Sequence, residues 1–193
     1  MHPFAGTFYK VTNINENHHG FQYVDGENVL LEQFNEDAGS SCASGGLYFT
    51  NREHLPQFLH FGVWIREVTL PWTDEEFKVV TDPSGDKFRA NKIILGKRHS
   101  AYDPDAFHAI GLPADVYAEN LSQIVYQIRE EHIPHLDLIY GHLMKTHMGR
   151  QLMVDRLWHL PSPLPQDVFQ RLVQTGDLTV AHLRRASSSK DLL

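Results

Sequence analysis

The chain has 193 residues, 41% of them hydrophobic and 21% charged, a composition suited to a globular protein with a sizeable buried core. Its net charge of -7 and pI near 6.0 exclude a general nucleic-acid scaffold, since no basic stripe exists to neutralise phosphates. A single cysteine, Cys42, excludes an internal disulfide and a cysteine-rich zinc module, and fits a reducing compartment.

Met1-His2-Pro3-Phe4 lacks the charged-then-apolar layout of a secretory signal. No apolar run has the length of a bilayer span, so an intracellular protein with no membrane partner is expected. Residues 7–12 alternate aromatic or branched side chains with polar ones and predict a first strand. A turn-rich stretch over 13–17 leads through His18-His19-Gly20 to a short strand at 21–24. Asp25-Gly26 is a hairpin signal, with 28–31 as the return arm. A polar loop over 36–41 precedes Gly45-Gly46, after which 47–50 has the character of a buried strand. Asn51 can cap a following helix whose inner side carries Leu55, Phe58 and Leu59. That helix stops near Gly62, and a strand over 63–70 is closed by Pro71. The strand–helix–strand unit predicts a sheet with a helix packed on one face. Residues 77–80 form another strand, Asp82-Pro83-Ser84-Gly85-Asp86 a turn, and 87–95 a last strand ending at Gly96.

Beyond residue 100 the pattern becomes helical. Val116, Leu121, Ile124, Val125 and Ile128 place one apolar face on a helix over 114–131, which Pro134 breaks. Helices over 136–148 and 151–158 follow, then a linker at Pro161, Pro163 and Pro165. A last helical segment over 167–185 carries Val168, Leu172, Val173, Leu178 and Leu183, and the serine-rich tail at 187–190 is mobile by composition. The expected fold is α+β: a small mixed or antiparallel sheet with a packed helix, then a C-terminal helical region. Its organisation is a sheet domain over 1–100, a helical region over 101–160 packed on it, and a proline-punctuated helical hairpin with a tail over 161–193.

The thirteen histidines raise a metal hypothesis, but His18-His19, His132 with His135, and His142 with His147 match no recurring zinc spacing, so no metal is expected. Cys42 paired with His18 or His19 has the elements of a nucleophile and base, yet nothing local lowers the thiol pKa, and a free thiol is the default. Gly39, Gly45 and Gly46 lack the spacing of a phosphate loop. Lys97-Arg98-His99 and Arg184-Arg185 read as solvated faces, and Trp64, Trp72 and Trp158 as core or interface anchors. Adjacent Arg66 and Glu67 on a strand send one side chain toward the core, where an ion pair with Lys92 or Arg89 is the structural expectation.

Five blocks carry a resemblance: residues 9–13 (YKVTN), 19–23 (HGFQY), 45–50 (GGLYFT), 66–68 (REV) and 89–95 (RANKIIL). Together they resemble the N-terminal domain of ankyrin-repeat proteins of giant DNA viruses, a family that brings no known activity. Residues 173–183 are similar to part of one ankyrin repeat, and stable arrays need several. More distantly, 46–50, the helix and 65–70 look like the middle of the ADP-ribosyltransferase fold, where this unit helps to form an NAD pocket. That resemblance implies Glu67, Lys10 and His19 as catalytic candidates, and Tyr48, Thr50, Gln22, Tyr23, Arg89 and Lys92 as ligand-facing. Cations at Arg89 and Lys92, where a carboxylate is wanted, oppose an oxocarbenium-like transition state. The leading expectation is therefore a non-enzymatic viral protein-interaction module in the host cytoplasm, with a protein partner, no nucleic acid and no cofactor. An NAD-binding transferase and a structural component of a virus particle are the alternatives.

Overall fold

The computed structural model describes residues 6–143, 146–160 and 166–174. Its strands, in chain order, are β1 (Phe8–Thr12), β2 (Asn17–His18), β3 (Phe21–Gln22), β4 (Gly26–Val29), β5 (Leu47–Asn51), β6 (Trp64–Thr69), β7 (Val79–Thr81), β8 (Phe88–Ala90) and β9 (Lys92–Ser100). Among the described residues β2 and β3 form a two-stranded ribbon. The others form a seven-stranded sheet in the order β4-β9-β6-β1-β5-β8-β7, every neighbouring pair antiparallel. The fold is α+β.

All five residues of β1 are buried, as befits a strand paired on both sides and covered on both faces. Since β5 and β6 both run antiparallel to β1, they are parallel to each other, with β1 inserted between them. The expected strand–helix–strand unit is thus a split crossover. Its helix, Leu55–Phe61, is 3₁₀, with a proline in its first turn, and it buries Leu55 and Leu59 completely. It ends at Gly62, where the backbone runs against β1. A Cβ on Gly62 would overlap the Thr12 carbonyl, a backbone group held in place by the Val63 N–H (2.9 Å). Gly62→Ala is therefore expected to cost about 1–3 kcal/mol, read as a lower urea midpoint at unchanged slope.

Two expectations are corrected. The strand placed over 87–95 is two strands. Asn91 turns its backbone N–H to the Lys78 carbonyl (3.1 Å) and its side chain to the Lys78 N–H and Glu76 carbonyl (both 2.8 Å), which interrupts the ladder. β8 then pairs with β5 and β7, while β9 pairs with β6 and β4 and continues past Gly96 to Ser100. Only one residue joins β8 to β9, although β6, β1 and β5 lie between them in the sheet. The sheet consequently curls back on itself around a core of Phe8, Leu47, Phe49, Val68, Ile93 and Leu95. Phe8, Phe49 and Phe88 pack there ring to ring at 5.3–5.6 Å.

The hairpin expected at Asp25-Gly26 does not form either. Gly26 takes the left-handed conformation that the turn signal implies (φ +84°), but β4 pairs with β9, and β3 pairs with β2. Asn28 replaces the missing arm. Its buried side chain accepts from the Val24 N–H and donates to the Val24 carbonyl, both at 2.9 Å, satisfying the groups a partner strand would have taken. The turn at residues 82–86 forms as expected, with Gly85 left-handed and Gly85 N–H donating to the Asp82 carbonyl at 2.9 Å.

The helices are α1 (Pro104–Ala109), α2 (Ala114–Tyr126), α3 (Leu136–Leu143), α4 (His147–Trp158) and α5 (Gln166–Gln174), with a second 3₁₀ segment at Glu130–His135. The helix expected over 114–131 ends at Tyr126, and that expected over 136–148 ends at Leu143. Backbone contacts group the chain into two compact units, Met1–Asn120 and Leu121–Leu193. In the first, α1 is capped by the Asp103 carboxylate, and Phe107 meets Tyr117 edge-on at 5.1 Å. In the second, α3 packs on α4, and Arg156 donates to the Ile128 carbonyl (2.8 Å) while lying over the Tyr126 ring. The expected linker at residues 161–165, the single-repeat match and the mobile tail fall in or largely in segments outside the described residues. No described helix is long and apolar enough to cross a membrane.

Candidate functional site

Residues directly opposite in an antiparallel pair share a face. Lys10 stands opposite Arg66, and Thr12 opposite Trp64, so β1 and β6 send two cations to the same concave face that carries the apolar core. Lys10 is 7% exposed. Its Nζ donates to the Tyr48 carbonyl at 2.8 Å and lies 4.4 Å from the centre of the Tyr23 ring. Burial, uncompensated by any carboxylate partner among the described residues, pushes the Lys10 pKa down to about 7. The same burial lowers His18 to about 4, helped by the charges of Lys10 and His19. His18 Nε2 accepts the Asn13 N–H (3.0 Å), which leaves its ring proton on Nδ1.

Arg66, 1% exposed, meets Glu16 (3.4 Å) and Asp25. Glu16 also accepts from the Thr12 hydroxyl (3.1 Å) and lies 3.6 Å from Arg98, whose guanidinium covers the Trp64 ring. The Arg66–Asp25 bond and charge hold the exposed Asp25 carboxyl below its usual range. The segment carrying Glu16, His18, Tyr23 and Asp25 is thereby tied to the concave face at one end of the apolar core.

The opposite face of the same strands carries a different set. Tyr9 stands opposite both Glu67 and Thr50, and Glu67 Oε1 lies 2.8 Å from His99 Nε2. Burial first, then the Glu67 charge, raise the Tyr9 pKa. Tyr48 and Arg89 are also directly paired: the Arg89 guanidinium donates to the Tyr48 hydroxyl (3.0 Å), to the Asp37 carbonyl (2.7 Å) and to Ala43. Arg89 is 2% exposed and fills the space a side chain on Gly46 would need. It anchors the loop over 37–46. Nearby, Asp82 accepts from Ser41, Ser84 and the Cys42 N–H. Burial alone would raise its pKa, but these hydrogen bonds outweigh burial and hold it well below the carboxylate range.

The structure therefore separates the sequence candidates. Lys10 and Tyr23 meet at one site, where Gln22 braces the loop by donating to the Asn15 and Glu16 carbonyls (3.0 and 3.2 Å). Tyr48 joins Arg89. Glu67 faces the other way from Lys10, because alternate residues on paired strands point to opposite faces. Thr50 donates to the Asp86 carbonyl (2.6 Å), and exposed His19 sits at a positive φ in the loop between β2 and β3. Of the adjacent pair on β6 one side chain faces the core, as expected, and it is Arg66. The ion pairs expected with Lys92 or Arg89 do not form: Lys92 is held by Asp74 (2.6 Å) and Glu76 (3.3 Å). Sequence reasoning missed Glu16, Asp25 and His99, whose partners are set by register, and weighed His18 only as a metal ligand or a base for Cys42. Among the described residues no group of three His, Cys, Asp or Glu side chains is placed to hold a metal.

Comparison with known proteins gives relatives in Acanthamoeba polyphaga mimivirus. One, named as an ankyrin repeat protein, is 46% identical over 96 residues, 50% of this chain and 48% of the relative. An uncharacterized mimivirus protein is 42% identical over 100 residues, 52% of this chain and 72% of the relative. A third, also named as an ankyrin repeat protein, is 30% identical over 164 residues, 81% of this chain but 26% of the relative. The chain thus spans about half of the first relative and about a quarter of the third. No family model matches, and no solved structure matches. With most of a 42%-identical relative covered, the chain belongs to this giant-virus family of ankyrin-associated mimivirus proteins.

Proposed function

We propose that the chain is a non-enzymatic protein-interaction module acting inside the infected host cell. One observation carries the reading. Members of the family range from a relative of which the matched segment fills 72% to one of which it fills 22%, and several are named as ankyrin repeat proteins. A domain that recurs beside repeats built to present extended binding surfaces is suited to working with them in recognition. The buried cations support the same reading. Arg66 and Arg89 are held by acceptors within the fold, and Lys10 is enclosed between Tyr23 and the Tyr48 carbonyl. The reading needs no cofactor.

The test is capture of partners from infected-cell lysate by crosslinking to the purified chain, followed by reconstitution from two purified components. A one-to-one complex with a micromolar or tighter dissociation constant is expected. A capsid protein as that partner would move the reading to the virus particle. A thermal-shift titration with NAD, ADP-ribose and ATP runs beside it. A ligand of the folded state at a hundred times its dissociation constant adds about 2.7 kcal/mol, so a clear rise with NAD would replace the module by a nucleotide-binding enzyme.

A further inference from the structure

Among the described residues strand β4 is an edge of the sheet, paired only with β9. Leu30 N–H donates to the Asn91 carbonyl (2.8 Å), so by alternation the backbone groups of Asn28 and Gly26 also face β9, and those of Glu27 and Val29 face outward. The side chains divide the same way. Asn28 is buried and Leu30 packs on the core, whereas Val29 is 40% and Leu31 93% exposed, and Val24, ahead of the strand in the chain, is 52% exposed. This strand has neither proline nor bulge, and of the devices that blunt an open edge it keeps only its short length and the charge of Glu27. Charge singles out the occupant. Between Lys10 and Arg52 the sequence carries no lysine or arginine, but it carries Glu16, Asp25, Glu27, Glu32, Glu36 and Asp37. Glu16 and Asp25 are held by Arg66, and Glu36 by Lys78 (2.5 Å), while Glu27 and Glu32 make no ion pair among the described residues. Past β4 the chain opens into a shallow depression of about 520 Å³ lined by Glu32, Phe34, Asn35 and Glu36.

We propose that the β4 edge, continued by this acidic depression, binds an extended partner segment that alternates apolar with lysine or arginine residues and adds as a further strand. The proposal rests on the interaction-module reading and names its surface. Main-chain bonds to Glu27 and Val29 supply the pairing, the exposed valines and Leu31 an apolar strip, and Glu27 and Glu32 the charge selection.

The probe is a synthetic peptide of about eight residues, the length of an ordinary strand, alternating valine and lysine. Its controls carry glutamate in place of lysine, or N-methyl groups on alternate amides. The lysine peptide should shift the amide resonances of Glu27 and Val29 and bind at least about tenfold tighter than either control. Val29→Pro removes an outward donor and leaves the β9 ladder intact, so it should abolish binding. Leu31→Arg, at a position too exposed to disturb the fold, should weaken binding. Glu27→Lys with Glu32→Lys should exchange the preference between the lysine and glutamate peptides. Equal binding of the N-methylated peptide, or no binding of the lysine peptide, overturns strand addition. Self-association lost in Val29→Pro would show a second copy on this edge and overturns the basic partner. A reconstituted partner that still binds Val29→Pro and Leu31→Arg leaves the module standing and sinks the edge, whereas failure to reconstitute any partner sinks the module itself.

Discussion

Lys10→Met is expected to make the protein more stable at pH 6 by a few kcal/mol, with an advantage that shrinks as pH rises. The Lys10 ammonium is buried with one hydrogen bond to the Tyr48 carbonyl and the face of Tyr23, and with no carboxylate partner among the described residues. Its folded-state pKa is about 7, against 10.5 for the free side chain. Between those values the unfolded chain binds the extra proton, so the stability of the natural protein rises with pH across that window. Below pH 7 both states are protonated and the whole penalty is in force. It amounts to about 5 kcal/mol, from three and a half units at roughly 1.4 kcal/mol each. Methionine removes that cost and fills a similar volume, but it leaves the Tyr48 carbonyl without its donor, which returns about 1–3 kcal/mol.

The difference between the two proteins is the discriminating quantity. From pH 6 to pH 9 it should fall by about 2–3 kcal/mol, because the unfolded lysine stays protonated while the folded one loses its proton. Folded His18, held near 4, is uncharged throughout that range and burial keeps folded Tyr23 protonated, so what they contribute comes from titration of the unfolded chain, which both proteins share and which cancels in the difference. Urea titrations of both proteins at the two pH values give the answer. Parallel stability curves would show that Lys10 is solvated or paired in solution.

Local signals were readable where one residue type decides the conformation. The turn at residues 82–86 needed only Pro83 and Gly85, and the strand–helix–strand order was legible from Gly45-Gly46, the apolar run at 47–50 and the stop at Gly62, whereas the insertion of β1 between its two strands was not. That Arg66 or Glu67 must face inward followed from strand alternation alone. Which partners Arg66 would find did not, because Glu16 and Asp25 lie 50 and 41 residues away and arrive through the β1–β6 register and the β2–β3 ribbon. The hairpin at Asp25-Gly26 misled for a related reason. The turn conformation is real, but a side-chain amide four residues on took the place of the second arm, and β9 took β4. Asn91 breaks residues 87–95 through bonds to Glu76 and Lys78, which no local pattern encodes. Helix α1 had a readable cap in Asp103-Pro104, but it is too short to show a period.

Arg66→Ala should be the costlier change, at about 3 kcal/mol, and Arg66→Met should recover most of the loss. The alanine leaves a void where one of the largest fully buried side chains stood, and it removes a counter-ion from Glu16, whose side chain is only 12% exposed. Arg98 and the Thr12 hydroxyl still reach Glu16, which places the cost at the lower end of the range for a broken buried pair. Methionine restores the volume and deletes an ion whose Nε finds no acceptor among the described residues. If charge rather than packing holds this end of the sheet, the two variants will instead be equally unstable. Position gives a second readout. Arg66 ties down Asp25 at the entry to β4, and the bond depresses the Asp25 pKa, so its contribution is present above the carboxylate's ordinary pKa and lost as acid protonates it. In Arg66→Met that acid-sensitive part disappears. Amide exchange should then quicken at Val24 to Asn28 and stay unchanged at Leu47 to Phe49, because the tether lies on one segment while the apolar core that holds β5 is untouched.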